Sequence, residues 1–547
     1  MTRRRTAAGA SSPAPRRLRV FGVGIASLAL GLGASGVFAV PAGASTTEAV
    51  IVTAHGPTTA AGAVSLVAGS VLDSYSFVHS VKAEMTPASR ALLGSIPGIT
   101  VVPDSKVSVQ GESTEPHTGS DAFLQQTGAT TLASNGDTGQ GVTVAVLDTG
   151  IDNLPDFAGR LIGGTDLTGG GNPFDDSYGH GTFVAGLIAG DGASSGGEYS
   201  GEAPGADLVS IKVAGADGTT DVATVIAGVQ WAIANEATYH IKVLNLSLGF
   251  QPVTSTLLNP LDMAVEQAWN DGITVVTDAG NAGPFNGTIL SPGDDPLVIT
   301  VGAVDDLAQP SVAGDEMTDF SSAGPTAPDG WAKPDLVASG RSVVSLAAPG
   351  STVYDANPSA LIGTSNFVGS GTSFSAAITT GAVALMLEMH PSLTPDQVKA
   401  RLLGTTYAGP VGNPFVDGHG ILDADAAATT HQMNLRQSTF GLLPTLPGAE
   451  VSLAPTGDSA DTWNAALWSG ADLSSQHWDG PAWQGYSWSG SDWNGFTSSA
   501  WDSSAWDSSA WDSSAWDSSA WDSSAWDGSA WDSSAWDSSA WDSSAWN

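Results

Sequence analysis

Val144-Ala145-Val146-Leu147-Asp148-Thr149-Gly150 is an unbroken apolar run closed by a carboxylate and a glycine. Four apolar residues with no polar alternation are the pattern of a strand buried on both faces of a parallel sheet. Asp148 falls where such a strand ends, the edge at which open α/β sheets build their sites. Read alone, Asp-x-Gly after a strand is equally a turn signal. Working outward, similar strands are predicted at 142–147, 207–213, 241–248, 273–276 and 297–301. Helical patterns at 180–189, 221–236, 259–270 and 373–389 alternate with them, each long enough to cross back over a sheet. The expectation is an α/β fold with a mostly parallel sheet and helices on both faces, spanning residues 121–436 as one large domain.

Two further motifs sit on those helices. His180-Gly181-Thr182-Phe183-Val184-Ala185-Gly186 opens one of them with an imidazole, and its glycines imply tight packing. Gly371-Thr372-Ser373-Phe374-Ser375 opens another with a serine. Separately, a histidine there reads as a hydrogen-bonded structural residue and a serine as a helix N-cap. Together with Asp148 they supply what nucleophilic acyl transfer needs. That chemistry uses a hydroxyl, a neutral imidazole to take its proton, and a carboxylate to fix the imidazole tautomer.

At these residues the chain closely resembles the subtilisin-like serine peptidases, the subtilases. Subtilisin is a standard worked case of this triad, in the same chain order of Asp, His, Ser. Ala203-Pro204-Gly205-Ala206, Asn245-Leu246-Ser247-Leu248-Gly249, Ala279-Gly280-Asn281, Phe320-Ser321-Ser322-Ala323-Gly324-Pro325 and Lys333-Pro334-Asp335 follow the family order as well. The resemblance implies Asp148 as orienting acid, His180 as general base then acid, and Ser373 as nucleophile. It implies Asn281 as oxyanion-hole donor, a role that can be worth about 3–4 kcal/mol of barrier. Ser247, Leu248 and Gly249, with Ala279 and Gly280, would bind the substrate, largely by adding its backbone as a strand. No cofactor is required for such chemistry. Structural calcium is common in the family, and Asp175-Asp176 and Asp294-Asp295 are available acidic pairs, although no ligand is assigned. Phe183, Ala377 and Asp278 depart from the usual pattern, and Asp278 is expected to disfavour acidic substrate side chains. His180 in the base position argues against a sedolisin-like site with a Glu base.

Residues 45–110 alternate strands (49–52, 74–84, 99–102) with helices (60–70, 87–95), a small α+β module. It resembles the family's inhibitor-like propeptide, the chain's own inhibitor until cut away; an accessory domain is the alternative. Residues 111–120 read as a linker.

The 547-residue chain carries 17 Lys plus Arg against 55 Asp plus Glu, a formal charge of -38. That balance excludes nucleic acid as a partner, since little would neutralise a phosphate backbone. Residues 1–44 run from an arginine-rich start through an apolar, Gly/Ala-rich stretch to Ala42-Gly43-Ala44, the pattern of a removed export signal. A membrane anchor is the rival reading, and Arg16-Arg17 leaves the Sec and twin-arginine routes both open. No cysteine is present, so disulfides and thiol chemistry are excluded. Residues 437–547 contain no Lys or Arg and end in nine tandem copies of Trp-Asp-Ser-Ser-Ala, one with Gly528. A five-residue step puts successive indoles on no single helix or strand face. The tail therefore reads as extended and multivalent, binding a cell surface or glycan; a stacked solenoid and a purely solubilising segment are the alternatives. The sequence as a whole reads as a secreted or cell-surface, monomeric serine endopeptidase made as a self-processed zymogen and acting on proteins or peptides. A surface-binding protein with a vestigial peptidase domain is the rival.

Overall fold

The computed structural model describes residues 46–109 and 119–430. The expected export signal, most of the linker and the repeat tail lie outside them.

Residues 48–103 contain β1 (Glu48–Ala54), α1 (Ala60–Leu66), β2 (Ser70–Tyr75), β3 (Ser80–Met85), α2 (Pro87–Gly94) and β4 (Ile99–Pro103). The strands pair antiparallel in the order β2-β3-β1-β4. Thr59 and Thr86 cap the two helices, each accepting a backbone N–H with its hydroxyl oxygen. Strand alternation divides β1 between two cores. Val50 and Val52 pack under the helices with Val64, Val81 and Leu93, whereas Ile51 faces the main body beside Tyr75 and Val78. The single strand expected at 74–84 is two strands joined by a short turn at Ser76–Val78. Burial continues through this turn because Val78 inserts into the main body, so the pattern does not mark the break.

The chain then runs through β5 (Lys106–Val109), α3 (Phe123–Gln126), α4 (Ala129–Asn135), β6 (Thr143–Asp148), β7 (Leu161–Asp166), α5 (His180–Ala189), β8 (Asp207–Lys212) and β9 (Thr219–Asp221). It continues with α6 (Val222–Tyr239), β10 (Ile241–Leu246), β11 (Leu248–Gly249), α7 (Pro260–Asn270), β12 (Thr274–Asp278), β13 (Ile299–Asp305), β14 (Glu316–Met317), β15 (Leu336–Ser339) and β16 (Val343–Leu346). Last come α8 (Thr352–Ala356), β17 (Leu361–Ile362), β18 (Asn366–Gly369), α9 (Thr372–Met389), α10 (Pro395–Thr405) and α11 (Ala424–Thr429).

The central sheet has the order β14-β13-β12-β10-β6-β8-β7, with β15 also on β13; every pairing is parallel except β13–β14. Val144, Ala145, Val146 and Leu147 are all buried, as an apolar run without alternation requires. Leu147 and Asp148 point to opposite faces. A Cβ on Gly228 of α6 would press on Leu147, and one on Gly181 of α5 would press on the Asp148 side chain. Helices α5 and α6 therefore cover opposite faces, and the expected α/β architecture is the one observed. The chain builds β7 and β8 to one side of β6 and then crosses to β10 on the other. The carboxyl ends of β6 and β10 thus flank a topological switch point, where such sheets open a crevice. Helix α9 is long and apolar enough to span a membrane, yet 89% of that stretch is buried inside the body. Ser120, at the end of the expected linker, already pairs with Val343.

Candidate active site

Asp148 ends β6 inside the crevice, and Thr149 donates its N–H to Asp148 Oδ1 at 2.7 Å. His180, the first residue of α5, donates from Nδ1 to Asp148 Oδ1 at 2.8 Å and stands 3.0 Å from Oδ2. That bond leaves Nε2 as the basic nitrogen. Burial disfavours the imidazolium, but the charge of Asp148 and its hydrogen bond outweigh this and raise the His180 pKa above 6.5. The helix start is fixed by Asp176, which accepts from Thr149 Oγ1 and from the N–H groups of Gly179 and Thr182, all at 2.7 Å. Gly181 is required by close approach, since a Cβ there would lie 2.2 Å from the Gly150 carbonyl oxygen.

Ser373 is the second residue of α9, fully buried, and its Oγ donates to the Ser247 carbonyl at 3.4 Å. Ser247 returns a bond from its Oγ to the Ser373 carbonyl at 3.2 Å and accepts from Asn245 Nδ2 at 2.9 Å. The Phe374 ring, next to Ser373, lies against His180 with centroids 5.7 Å apart. The bond expected between Ser373 and His180 is not formed here, because Nε2 has no hydrogen-bond partner among the described residues. Such bonds are often long before substrate binds. Asn281 Oδ1 accepts from both the N–H and the hydroxyl of Thr372, each at 2.9 Å.

Strand β5 lies between β11 and β9, antiparallel to both, with Ser108 opposite Gly249 and Val109 opposite Leu248. Val109 also donates its N–H to the Gly218 carbonyl at 3.1 Å. The residues named from sequence thus converge: Asp148, His180, Ser373, Asn281, and the edge Ser247, Leu248 and Gly249, with Ala279 and Gly280 alongside. Leu290 was not named. A Cβ on either Gly249 or Gly280 would meet its side chain, so it fills the space between the two segments. Asp278 is only 2% exposed and its carboxyl group faces Thr372, so it does not line the cleft as an acidic repellent. Thr372 was missed as well, being hidden beside the serine, and Asp176 was named only as part of an acidic pair, not for the bonds that fix the start of α5.

Asp176 is committed to the α5 bonds above while Asp175 is exposed, and Asp295 accepts from the Leu297 N–H at 2.8 Å. Among the described residues no group of three or more His, Asp or Glu has the arrangement to hold a metal ion.

The model of the Subtilase family matches residues 139–438. The chain belongs to the subtilase family. Serine protease AprX of Bacillus subtilis (strain 168) is 41% identical over 313 residues, covering 56% of this chain and 70% of that protein. Subtilisin E of the same organism is 32% identical over 364 residues, 66% of this chain and 83% of that one. In fold, the subtilase resembles fervidolysin from Fervidobacterium pennivorans, a keratinolytic enzyme related to subtilisin, with a TM-score of 0.58 at 24% identity. That match covers 72% of this chain and 62% of fervidolysin. The protein is accordingly a serine endopeptidase that acts on protein or peptide substrates.

Proposed function

We propose that this subtilase is an exported endopeptidase that hydrolyses peptide bonds through an acyl-enzyme, with Ser373 as nucleophile, His180 as base and then acid, Asp148 as its orienting partner and Asn281 as oxyanion donor. It is made as a zymogen whose residues 45–110 block the cleft until the enzyme cuts them off. One observation carries this reading: β5 occupies the edge Leu248-Gly249 as an added antiparallel strand, the way a substrate backbone would bind. The register points at the nucleophile. Val109 stands opposite Leu248, and Ser247, one residue back along that edge, has the carbonyl that takes the Ser373 hydroxyl. The bond after Gln110 is therefore the expected cut. Tyr75, Val78, Val102 and Val107 hold the module on the body through a shared apolar core. Lys82 adds a charged bridge, 3.0 Å from Asp221 on the body and 2.8 Å from the module's own Asp104.

N-terminal sequencing tests the proposal. Purified active enzyme should begin at Gly111, and Ser373→Ala should accumulate with residues 45–110 attached. Full cleavage of Ser373→Ala in a protease-free preparation would overturn self-processing by this serine.

A further inference from the structure

We infer that Asp278 is a positioning residue for Asn281, acting through the Thr372 hydroxyl, and that it does so only while its carboxyl group carries a proton. The inference rests on the proposed role of Asn281 and concerns what holds that amide in place.

The argument is a count of protons. Thr372 Oγ1 has three polar neighbours: Asn281 Oδ1 at 2.9 Å, Asp278 Oδ2 at 3.2 Å and the Gly280 N–H at 3.2 Å. The Gly280 N–H donates to it and uses one lone pair. Asn281 Oδ1 already accepts the Thr372 backbone N–H, so that atom is the amide oxygen and cannot donate. The single hydroxyl proton of Thr372 must therefore go either to Asn281 or to Asp278. With Asp278 neutral, every contact is satisfied: Asp278 O–H donates to Thr372, and Thr372 O–H donates to Asn281 Oδ1. With Asp278 ionised, one pair of oxygens is left facing lone pair to lone pair, and the Thr372 hydroxyl is drawn to the charge. Of its two bonds from Thr372, Asn281 then keeps the one from the backbone N–H, and its donor N–H groups are less well aimed.

The surroundings favour the neutral form. Asp278 is 2% exposed, and its Oδ1 has no hydrogen-bond partner among the described residues. Burial pushes its pKa up to about 7, opposed by Thr372, by His180 and by the backbone N–H groups of Asp278 and Gly280. The groups facing it are the Thr372 hydroxyl from α9, the Gly280 N–H from the loop before Asn281, apolar Val301 beside it on β13, and His180 across the cleft on α5. Asp148 and Asp176 act on His180 in turn. Two opposed titrations follow. Activity falls as pH drops because His180 protonates, and falls again as pH rises through about 7 because Asp278 ionises and slackens Asn281.

The test is kcat and KM from pH 5.5 to 9.5 on the purified active enzyme, with active-site titration by a serine-directed phosphonate to count competent molecules. Wild type should lose about tenfold in kcat between its maximum and pH 9 with KM changing less than twofold, as expected for a donor that acts in the transition state. Asp278→Asn cannot ionise and still offers an N–H to Thr372. It should lose the alkaline fall, keep the acid fall, and be several-fold slower than wild type at pH 6.5. Thr372→Val should also lose the alkaline fall, with kcat about tenfold lower throughout; it decides the matter if Asp278→Asn does not fold. A flat wild-type kcat between pH 7 and 9, or an Asp278→Asn profile that keeps the wild-type alkaline midpoint, overturns the inference. Failure of the phosphonate to label Ser373 would instead strike at the proposed active site itself.

Discussion

His180 shows how the site makes a base from a buried imidazole. Desolvation alone would depress its pKa, and it is Asp148, bonded at Nδ1, that reverses the sign. The proton must be absent from Nε2 for Ser373 to be activated, so the acid limb of kcat/KM should have its midpoint above 6.5. Asp148→Asn should weaken this base and favour the wrong tautomer, lowering kcat on the order of 10⁴-fold with little change in KM. Ser373→Ala should abolish phosphonate labelling and reduce hydrolysis at least roughly 10³-fold, the remainder coming from binding and oxyanion contacts. Undiminished turnover in that variant would remove Ser373 from the role of nucleophile. Each of these groups was legible in the sequence because its neighbours form a short local motif. Thr372 and Asp278 were not, since their meaning depends on a contact between strand β12 and helix α9 that lie 94 residues apart in the chain.

Between elements, the helices that carry His180 and Ser373 are held in register by a buried loop. Glu202 donates its N–H to the Leu187 carbonyl of α5 at 2.8 Å, and its Cβ lies where any side chain on Gly381 of α9 would have to go. Its carboxyl group is buried, which pushes its pKa up to about 8 against a weak opposing pull from Thr127. The unfolded chain ionises this group near 4.5 while the folded one keeps its proton to about 8. Stability contributed by the neutral group is therefore lost as pH rises between those values. Glu202→Gln, made in the Ser373→Ala background to avoid self-digestion, should raise Tm by roughly 5 °C at pH 8 and leave it nearly unchanged at pH 4. An equal shift at both pH values would show that packing, not ionisation, is responsible. The main strands and helices were readable because their apolar runs are long and uniformly buried. Strand β5 was not, because Lys-Val-Ser-Val is four residues long and its partners are two and three residues long. Its position is set by pairing across the cleft, and no hydrophobic period of that length can announce it.

Over the whole molecule, charge and tryptophan are distributed very unevenly. Beyond Arg436 the sequence has no Lys or Arg, 15 acidic residues, and ten Trp at five-residue intervals from Trp501 to Trp546. Asp and Ser are poor formers of both helix and strand, and the five-residue step gives neither lattice an apolar face. What the composition does supply is many identical indole rings in an anionic, strongly hydrated background. An indole stacks on a sugar ring or an apolar side chain, and weak contacts joined on one chain sum to useful avidity. The site, by contrast, is assembled within residues 148–373, and the hydrogen bonds that link Asp148 to His180, Ser373 to Ser247 and Thr372 to Asn281 all close within that span. Deleting residues 461–547 should therefore leave kcat/KM for soluble peptides within about twofold, while retention on cells, wall glycan or an insoluble protein falls several-fold in a pull-down. Equal retention of the truncated enzyme would sink the binding role, and loss of peptide hydrolysis would make the repeats part of the catalytic fold. Retention should also persist at high ionic strength, because stacking is not screened by salt as an attraction between charges would be. Release of the full-length enzyme by salt alone would assign the attachment to the acidic residues and leave the indoles without a part in it.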